Sequence, residues 1–343
     1  MGQSLDLERN EVDTISIIGA GGWGTALAVM IAKNGYPVRL WARRKELAET
    51  LGRERVNHQY LPEIVLPNSI VITDQLSEAG QADAVWFVTP STALRDVANS
   101  LAATGSVGPS TILISAVKGI EHGTGSRMSE ILAATFPGRP TAVLSGPNLA
   151  GEVANFTPTA TVIGASTEEV GTRLQRIISS RSFRAYTSSD VVGIEVGGAL
   201  KNIFAIAAGM ADGLGLGDNS KAALVTRSLA EMARLGLALG GKRETFQGLS
   251  GAGDLILTCF SRHSRNRRVG ERIGAGERLK QIQSSMQMVA EGVPTAQSAR
   301  DCAIGLAVNT PIIDEIYSIL YENASPAVAM ERLISRDLRS EED

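Results

Sequence analysis

The stretch Gly19-Ala20-Gly21-Gly22-Trp23-Gly24 lies between a short apolar run, Thr14 to Ile18, and a segment rich in Ala, Leu, Val and Met, Thr25 to Lys33. A Gly-x-Gly-x-x-Gly pattern alone says little in a chain with 36 glycines. Its context makes it specific. A strand that runs into this turn and a helix that leaves it open a βαβ unit, in which the glycines permit a tight turn and let a pyrophosphate approach the helix N-terminus. Asn34-Gly35 supplies the left-handed stop for that helix, and Val38 to Trp41 reads as the next strand. The plainer alternative is a glycine-rich turn needed only for packing.

Apolar runs at Ile70 to Ile72, Ala84 to Val88, Thr111 to Val117 and Thr141 to Leu144 alternate with helical stretches at Leu94 to Ala103 and Ser126 to Thr135. That alternation predicts a parallel sheet with helices on both faces. Ala160 to Ile163 and Phe183 to Tyr186, flanking a helical Glu168 to Ile178, extend the sheet to about residue 188. From Asp190 the β-branched runs thin out and long Ala/Leu/Met/Gly stretches take over, so the second half is expected to be helical. Ser325-Pro326 reads as an N-cap followed by proline at the first helical position, opening a last helix through Ile334. The expected fold class is α/β. A polar lead over residues 1–13 precedes a Rossmann-like N-terminal dinucleotide-binding domain with an extended sheet, 14–188, and an all-α C-terminal substrate-binding and catalytic domain, 189–343. No repeat or low-complexity linker intervenes, so the junction should be tight and the cleft between the domains is the expected ligand site.

Composition narrows the function. With 343 residues, 43% hydrophobic, 20% charged and a formal net charge of −3, the chain is neither disordered nor a globally basic nucleic-acid binder. Cys259 and Cys302 lie far apart without metal or disulfide spacing, which points to a reducing cytoplasm. The polar N-terminal lead does not read as a secretory signal, and no uninterrupted apolar stretch reaches the roughly 20 residues of a membrane helix. His58, His122 and His263 lack metal-like spacing, so no metal is assigned.

Several polar residues stand where chemistry is expected. About 20 residues past the glycine turn, where an NAD-specific fold presents an acid, stand Arg43 and Arg44, which suit the 2′-phosphate of NADPH or form a solvated pair at a strand end. Lys118 follows a predicted strand, the address at which ligands bind in open sheets, though a surface lysine fits there too. Ser145-Gly146-Pro147-Asn148 ends the next strand and either lines the same crevice or is a plain turn. Lys201 sits in an apolar helical stretch, and burial lowers an ammonium pKa toward general acid/base use; the alternative is a core lysine paired with a carboxylate such as Glu195. Asp254 is a candidate partner for Lys201, or else a helix N-cap. Residues 261 to 268, Ser-Arg-His-Ser-Arg-Asn-Arg-Arg, suit a small phosphate more than nucleic acid, or else form a helix start whose arginines pair with Glu271 or Glu277.

Taken in order, Gly19 to Ala28, Ala116-Val117-Lys118-Gly119, Ser145-Gly146-Pro147, Gly198-Ala199-Leu200-Lys201-Asn202, Gly209 to Gly217, Gly253 to Cys259 and Ser264-Arg265-Asn266-Arg267-Arg268 closely resemble the NAD(P)-dependent glycerol-3-phosphate dehydrogenases of bacterial type. The resemblance covers nearly the whole chain. It implies reversible hydride transfer between NAD(P)H and dihydroxyacetone phosphate, giving sn-glycerol 3-phosphate for membrane lipid synthesis in the cytoplasm, and a homodimer. It implies Lys201 as the proton donor and acceptor, with Asn202, Asp254 and Thr258 around it, and Lys118 as a contact to both cofactor and substrate. Gly146, Asn148 and Ala150 would lie along the crevice, and Ser264, Arg265 and Asn266 would take the substrate phosphate, with Arg265 also near the cofactor. Gly19, Gly21, Gly22, Trp23, Gly24, Arg43, Arg44, Val289 and Glu291 complete the implied cofactor set. Asn148, where relatives often carry serine or threonine, and Thr89-Pro90-Ser91 are departures that leave the proton and phosphate roles intact. Two competitors remain at this level: a dehydrogenase of 3-hydroxyacids or 2-ketoacids, which would need a carboxylate site, and an NADP(H)-binding sensor without turnover.

Overall fold

The computed structural model describes residues 13–286, 289–337 and 340. Residues 1–12 of the polar lead 1–13, Met288 and the last charged residues, 341–343, lie outside the described residues.

The first half runs β1 (Ile15–Ile18), α1 (Gly22–Lys33), β2 (Val38–Trp41), α2 (Lys45–Glu54), β3 (Val56–Asn57), β4 (Leu61–Val65), β5 (Ile70–Thr73), α3 (Leu76–Ala79) and β6 (Ala84–Phe87). It continues through α4 (Leu94–Ala103), β7 (Ile112–Ser115), α5 (Met128–Thr135), β8 (Thr141–Ser145), α6 (Ala150–Ala154), β9 (Thr159–Ala165), α7 (Glu168–Ile178) and β10 (Phe183–Ser188). The second half is helical: α8 (Val191–Gly213), α9 (Gly217–Ala238), α10 (Arg243–Gln247), a π-helical turn (Leu249–Gly253), α11 (Asp254–Phe260) and α12 (Arg265–Gly274). α13 (Leu279–Ser285), α14 (Gly292–Gly305), α15 (Pro311–Tyr321) and α16 (Pro326–Ile334) complete it.

Eight strands form one sheet in the order β10-β9-β8-β7-β6-β1-β2-β5. β1, β6 and β7 are buried along their whole length, because helices cover both faces, and this is why they read as mainly apolar runs. The chain leaves β1 to one side and β6 to the other, so the crevice at their C-terminal ends is the topological switch point where ligands bind in such sheets. The expectation of a wholly parallel sheet is corrected at one place: β9 runs antiparallel to β8. The connection 146–158 carries only the short helix α6, which packs against α1 and does not make the long crossover that a parallel return requires. A second feature absent from the sequence reading is the small antiparallel hairpin β3–β4, inserted between α2 and β5.

Helix α8 is the axis of the second half. It is long and apolar enough, by length and composition, to cross a membrane, but it is enclosed by the protein, with α9, α11, α12 and α14 packed around it. Glu195, Lys201 and Asn202 interrupt its apolar surface. Its contact with α12 is unusually close. A Cβ at Gly209 would meet the Arg267 carbonyl oxygen at 1.9 Å and one at Gly213 the Glu271 oxygen at 2.2 Å, while Gly270 and Gly274 face the Ile206 and Met210 oxygens at 1.9 and 2.5 Å. Two glycines four residues apart on each helix thus let backbone meet backbone, which brings the start of α12 to the middle of α8. Gly270→Ala is therefore expected to destabilise the fold by about 1–3 kcal/mol through overpacking. Gly52→Ala, a helical position with open space beside it, should gain up to about 1 kcal/mol. Thermal or urea unfolding of both variants checks the pair, and equal midpoints would refute the close approach.

Candidate active site

A cleft of about 910 Å³ opens at the switch point and is closed on its far side by the helical half. It is lined by all of the site residues expected from sequence except Gly24 and Gly146. Those two lie behind the wall. A Cβ on Gly24 would sit 1.9 Å from the Gly19 carbonyl oxygen, so this glycine lets α1 pack against β1. Gly146 lends its carbonyl, which accepts from Lys118 Nζ at 2.9 Å.

At the floor three charged side chains meet, two of them buried and the third, Lys118, partly exposed. Lys201 projects from α8 and is 8% exposed, and Asp254, the first residue of α11, is 1% exposed. Lys201 Nζ lies 2.9 Å from Asp254 Oδ1 and donates to Thr258 Oγ1 at 2.7 Å, while the Thr258 hydroxyl donates to the Asp254 carbonyl at 2.6 Å. Lys118, three residues past β7, places its Nζ 2.5 Å from Asp254 Oδ2. One carboxylate is thus shared by two ammonium groups. Burial pulls Lys201 down to about 8, with the charges of Lys118 and Arg265 acting in the same direction and Asp254 opposing. For Asp254 burial acts upward, but Lys118 and Lys201 override it and hold the carboxyl below its ordinary range.

The alternatives left open by sequence are resolved at several of these positions. Asp254 does not cap α11, since Gly253 precedes that helix and the carboxylate takes the lysines. Glu195 does not pair with Lys201. It accepts from Arg127 Nη1 at 2.6 Å and from the Ser129 N–H and hydroxyl at 2.8 and 2.5 Å, at the start of α5, and so ties α8 to the sheet half. In the arginine cluster only Arg265 lines the cleft. Arg267 pairs with Asp212 at 2.6 Å and with Glu271 at 3.4 Å, the structural role that sequence allowed it.

Ser264 caps α12, accepting from the Arg267 N–H at 3.2 Å, and Arg265 Nη1 donates to the Val289 carbonyl at 3.1 Å. Asn266 Nδ2 donates to Asn202 Oδ1 at 2.8 Å, and the Gly292 N–H donates to Asn266 Oδ1 at 2.9 Å, linking α8, α12 and α14 beside Lys201. Across the cleft, Glu291 accepts from the Ser91 N–H at 3.2 Å and from its hydroxyl at 2.5 Å, a second tie between the halves; burial raises its carboxyl pKa against the pull of Ser91 and Arg265. At the opposite end Arg43 and Arg44 are exposed at the rim, with Arg44 Nη2 donating to Gln59 Oε1 at 3.0 Å. Tyr60, also from the β3–β4 hairpin, lines the cleft and was missed, as was Ser91's grip on Glu291. The only signal for Tyr60 was an aromatic in a polar stretch, and nothing local marked Ser91 as a partner 200 residues away.

The glycine turn fits a dinucleotide. Gly21 precedes α1 with no side chain capping the first turn, and a Cβ on Gly22 would project toward Tyr60 and Ala150, both on the cleft wall. Among the described residues no group of three His, Cys, Asp or Glu side chains is placed to hold a metal ion. Burial pushes the Cys259 thiol up to about 12, which makes it inert as a nucleophile.

Residues 14–171 match the family description NAD-dependent glycerol-3-phosphate dehydrogenase N-terminus, and residues 190–331 match the corresponding C-terminus. The chain is 47% identical over 333 residues to a glycerol-3-phosphate dehydrogenase (NAD(P)+) of Syntrophotalea carbinolica, covering 96% of this chain and 99% of the relative. The like-named protein of Geobacter sulfurreducens is 46% identical over the same shares. The crystal structure of glycerol-3-phosphate dehydrogenase from Coxiella burnetii superposes with a TM-score of 0.91 at 36% identity, covering 95% of this chain and 99% of that one. The chain therefore belongs to the NAD-dependent glycerol-3-phosphate dehydrogenase family.

Proposed function

We propose that this chain is a glycerol-3-phosphate dehydrogenase that uses NAD(P)H to reduce dihydroxyacetone phosphate to sn-glycerol 3-phosphate, and catalyses the reverse oxidation. Its product is the backbone on which glycerophospholipids are built. The observation that carries the reading is the buried Lys201 ammonium on the floor of the cleft, held by Asp254 and Thr258 between a dinucleotide-type glycine turn and the Arg265 end of α12. The division at residues 188 and 189 sets a cofactor-binding sheet half against a helical substrate-binding and catalytic half, with Lys118 of the first reaching the substrate and Arg265, Val289 and Glu291 of the second reaching the cofactor.

Gly19, Gly21, Gly22 and Trp23 would hold the pyrophosphate at α1, with Ala150, Val289 and Glu291 along the rest of the cofactor. When bound, the reduced nicotinamide supplies the hydride to the carbonyl carbon. Lys201 Nζ gives its proton to the carbonyl oxygen as negative charge develops there, is left neutral, and recovers a proton from solvent; in the oxidation the neutral amine removes the hydroxyl proton. Asp254 and Thr258 aim Nζ, and Lys118 supplies a second positive charge near the same oxygen. Arg265, with Asn266 and the N-terminus of α12, anchors the substrate phosphate and fixes the carbonyl against the lysine, so binding energy far from the reacting carbon serves orientation. Asn202 holds Asn266 in place.

We place the enzyme in a reducing cytoplasm on its two free thiols, Cys259 and Cys302, a placement refuted if they form a disulfide in freshly lysed cells. We read it as a homodimer, joined through apolar side chains left exposed on the helical half, such as Ile304 and Leu306.

The assay is loss of nicotinamide absorbance with dihydroxyacetone phosphate. Lys201→Ala should lose about 10²–10⁴-fold in kcat with cofactor binding retained. Because the lysine is active as acid below about pH 8, kcat/KM for reduction should fall above that pH and kcat/KM for oxidation should rise toward it. Near-normal turnover in the variant would remove Lys201 from this role. Arg43 and Arg44 favour NADPH over NADH through the 2′-phosphate, so Arg44→Ala should raise KM for NADPH about tenfold and leave that for NADH within about twofold. Light scattering should give twice the 36.1 kDa chain mass, and a monomer mass would refute the dimer.

A further inference from the structure

The β3–β4 hairpin has no part in the sheet, yet it reaches the turn on which the cofactor is expected to lie. Its base is closed by Arg55, whose N–H and carbonyl bond to Leu51 and Leu66 and whose Nη2 donates to the carbonyls of Pro67 and Ile70. Near its tip Asn57 is completely buried, 0% exposed, and its Nδ2 donates to the Ala20 carbonyl at 3.0 Å and to Thr25 Oγ1 at 2.8 Å. Ala20 is the residue between the first two glycines of the turn, and Thr25 is a fully buried residue in the first turn of α1. One amide therefore clamps both ends of the segment whose Gly21, Gly22 and Trp23 line the cleft.

The amide orientation is set by chemistry. The Ala20 carbonyl can only accept, so the NH₂ group must face it, and the reverse orientation would set two acceptors against each other. Oδ1 is then buried without a partner. A residue serving packing alone would be better as leucine, which carries no polar atom to strand. The bonds to the turn are made despite that cost, which is the mark of a group that positions.

We propose that Asn57 is a positioning residue for the dinucleotide. It fixes the Ala20 carbonyl and the first turn of α1 so that the backbone N–H groups are aligned before the pyrophosphate arrives, and binding does not have to order them. This rests on the reading of the Gly19–Gly24 turn as the cofactor site. The pyrophosphate is common to both nicotinamide cofactors, so the effect should not discriminate between them, unlike that of Arg44.

The test titrates NADH and NADPH against the folded protein, without substrate, by nicotinamide fluorescence in wild type, Asn57→Leu and Thr25→Val. Asn57→Leu should weaken both cofactors by about tenfold, equivalent to about 1.4 kcal/mol. At saturating cofactor, KM for dihydroxyacetone phosphate and kcat should stay within twofold. Thr25→Val removes one of the two bonds and should act in the same direction by about threefold; it decides on the same readings if Asn57→Leu does not fold. Cofactor dissociation constants unchanged within twofold would overturn the proposal. So would a parallel rise in KM for dihydroxyacetone phosphate, because a general loosening of the fold would move both. A wild-type protein that binds neither cofactor would overturn the dinucleotide reading itself, an outcome distinct from normal wild-type binding with no effect of the variants.

Discussion

A single buried carboxylate, Asp254, is the constraint around which the two halves are arranged. Lys118 comes from the end of a sheet strand and Lys201 from the central helix, and both ammonium groups are drawn out of water on the cleft floor. Without a shared anion the two positive charges would repel one another at close range. At an effective dielectric near 20, opposite unit charges even 4 Å apart attract by about 4 kcal/mol, enough to offset much of the desolvation of the groups involved.

Keeping that geometry requires the sheet and helical halves to hold a fixed relation. Two further carboxylates do this. Glu195, on α8 six residues before Lys201, takes three donors at the start of α5, and Glu291, just ahead of α14, takes two from Ser91. Buried ion pairs and hydrogen-bonded carboxylates contribute little net stability once desolvation is counted, and their stronger effect is to disfavour every arrangement that leaves them unpaired. Apolar packing around α8 supplies cohesion, and these polar ties supply register. The glycines of the α8–α12 contact complete the arrangement, since only backbone-to-backbone packing brings Ser264, Arg265 and Asn266 beside Asn202 and Lys201.

How much of this was legible in the sequence follows from where the physics acts. β1, β6 and β7 were readable because strands buried on both faces need mainly apolar runs, and the glycine turn because its function needs the strand before it and the helix after it. The direction of β9 was not readable, since strand periodicity is the same in either direction and only the brevity of the 146–158 connection decides it. The β3–β4 hairpin was missed because Pro62 and Glu63 break the alternation and β3 is two residues long. Gly209, Gly213, Gly270 and Gly274 were visible, but glycine within a helix reads as a weak point until the partner helix is known. Lys201 was found because a charge in an apolar helix is conspicuous; that its partner was Asp254 and not the nearer Glu195 depended on which side of α8 faces the sheet half.

The sharing of Asp254 also explains why Lys201 is suited to proton transfer in both directions. Burial acts on the amine downward, against its charged form, and the Asp254 carboxylate acts the other way. Here the carboxylate is divided between two ammonium groups, and the second, Lys118, opposes with its own charge part of what the carboxylate gives; Arg265 adds to that opposition. The balance falls at about 8, where the protonated form predominates at neutral pH and the neutral form is within one unit. An acid that must also serve as the base for the reverse reaction is most effective near that balance. On the proposed role of Lys201, the second lysine on Asp254 would thus act on the proton chemistry as well as on binding.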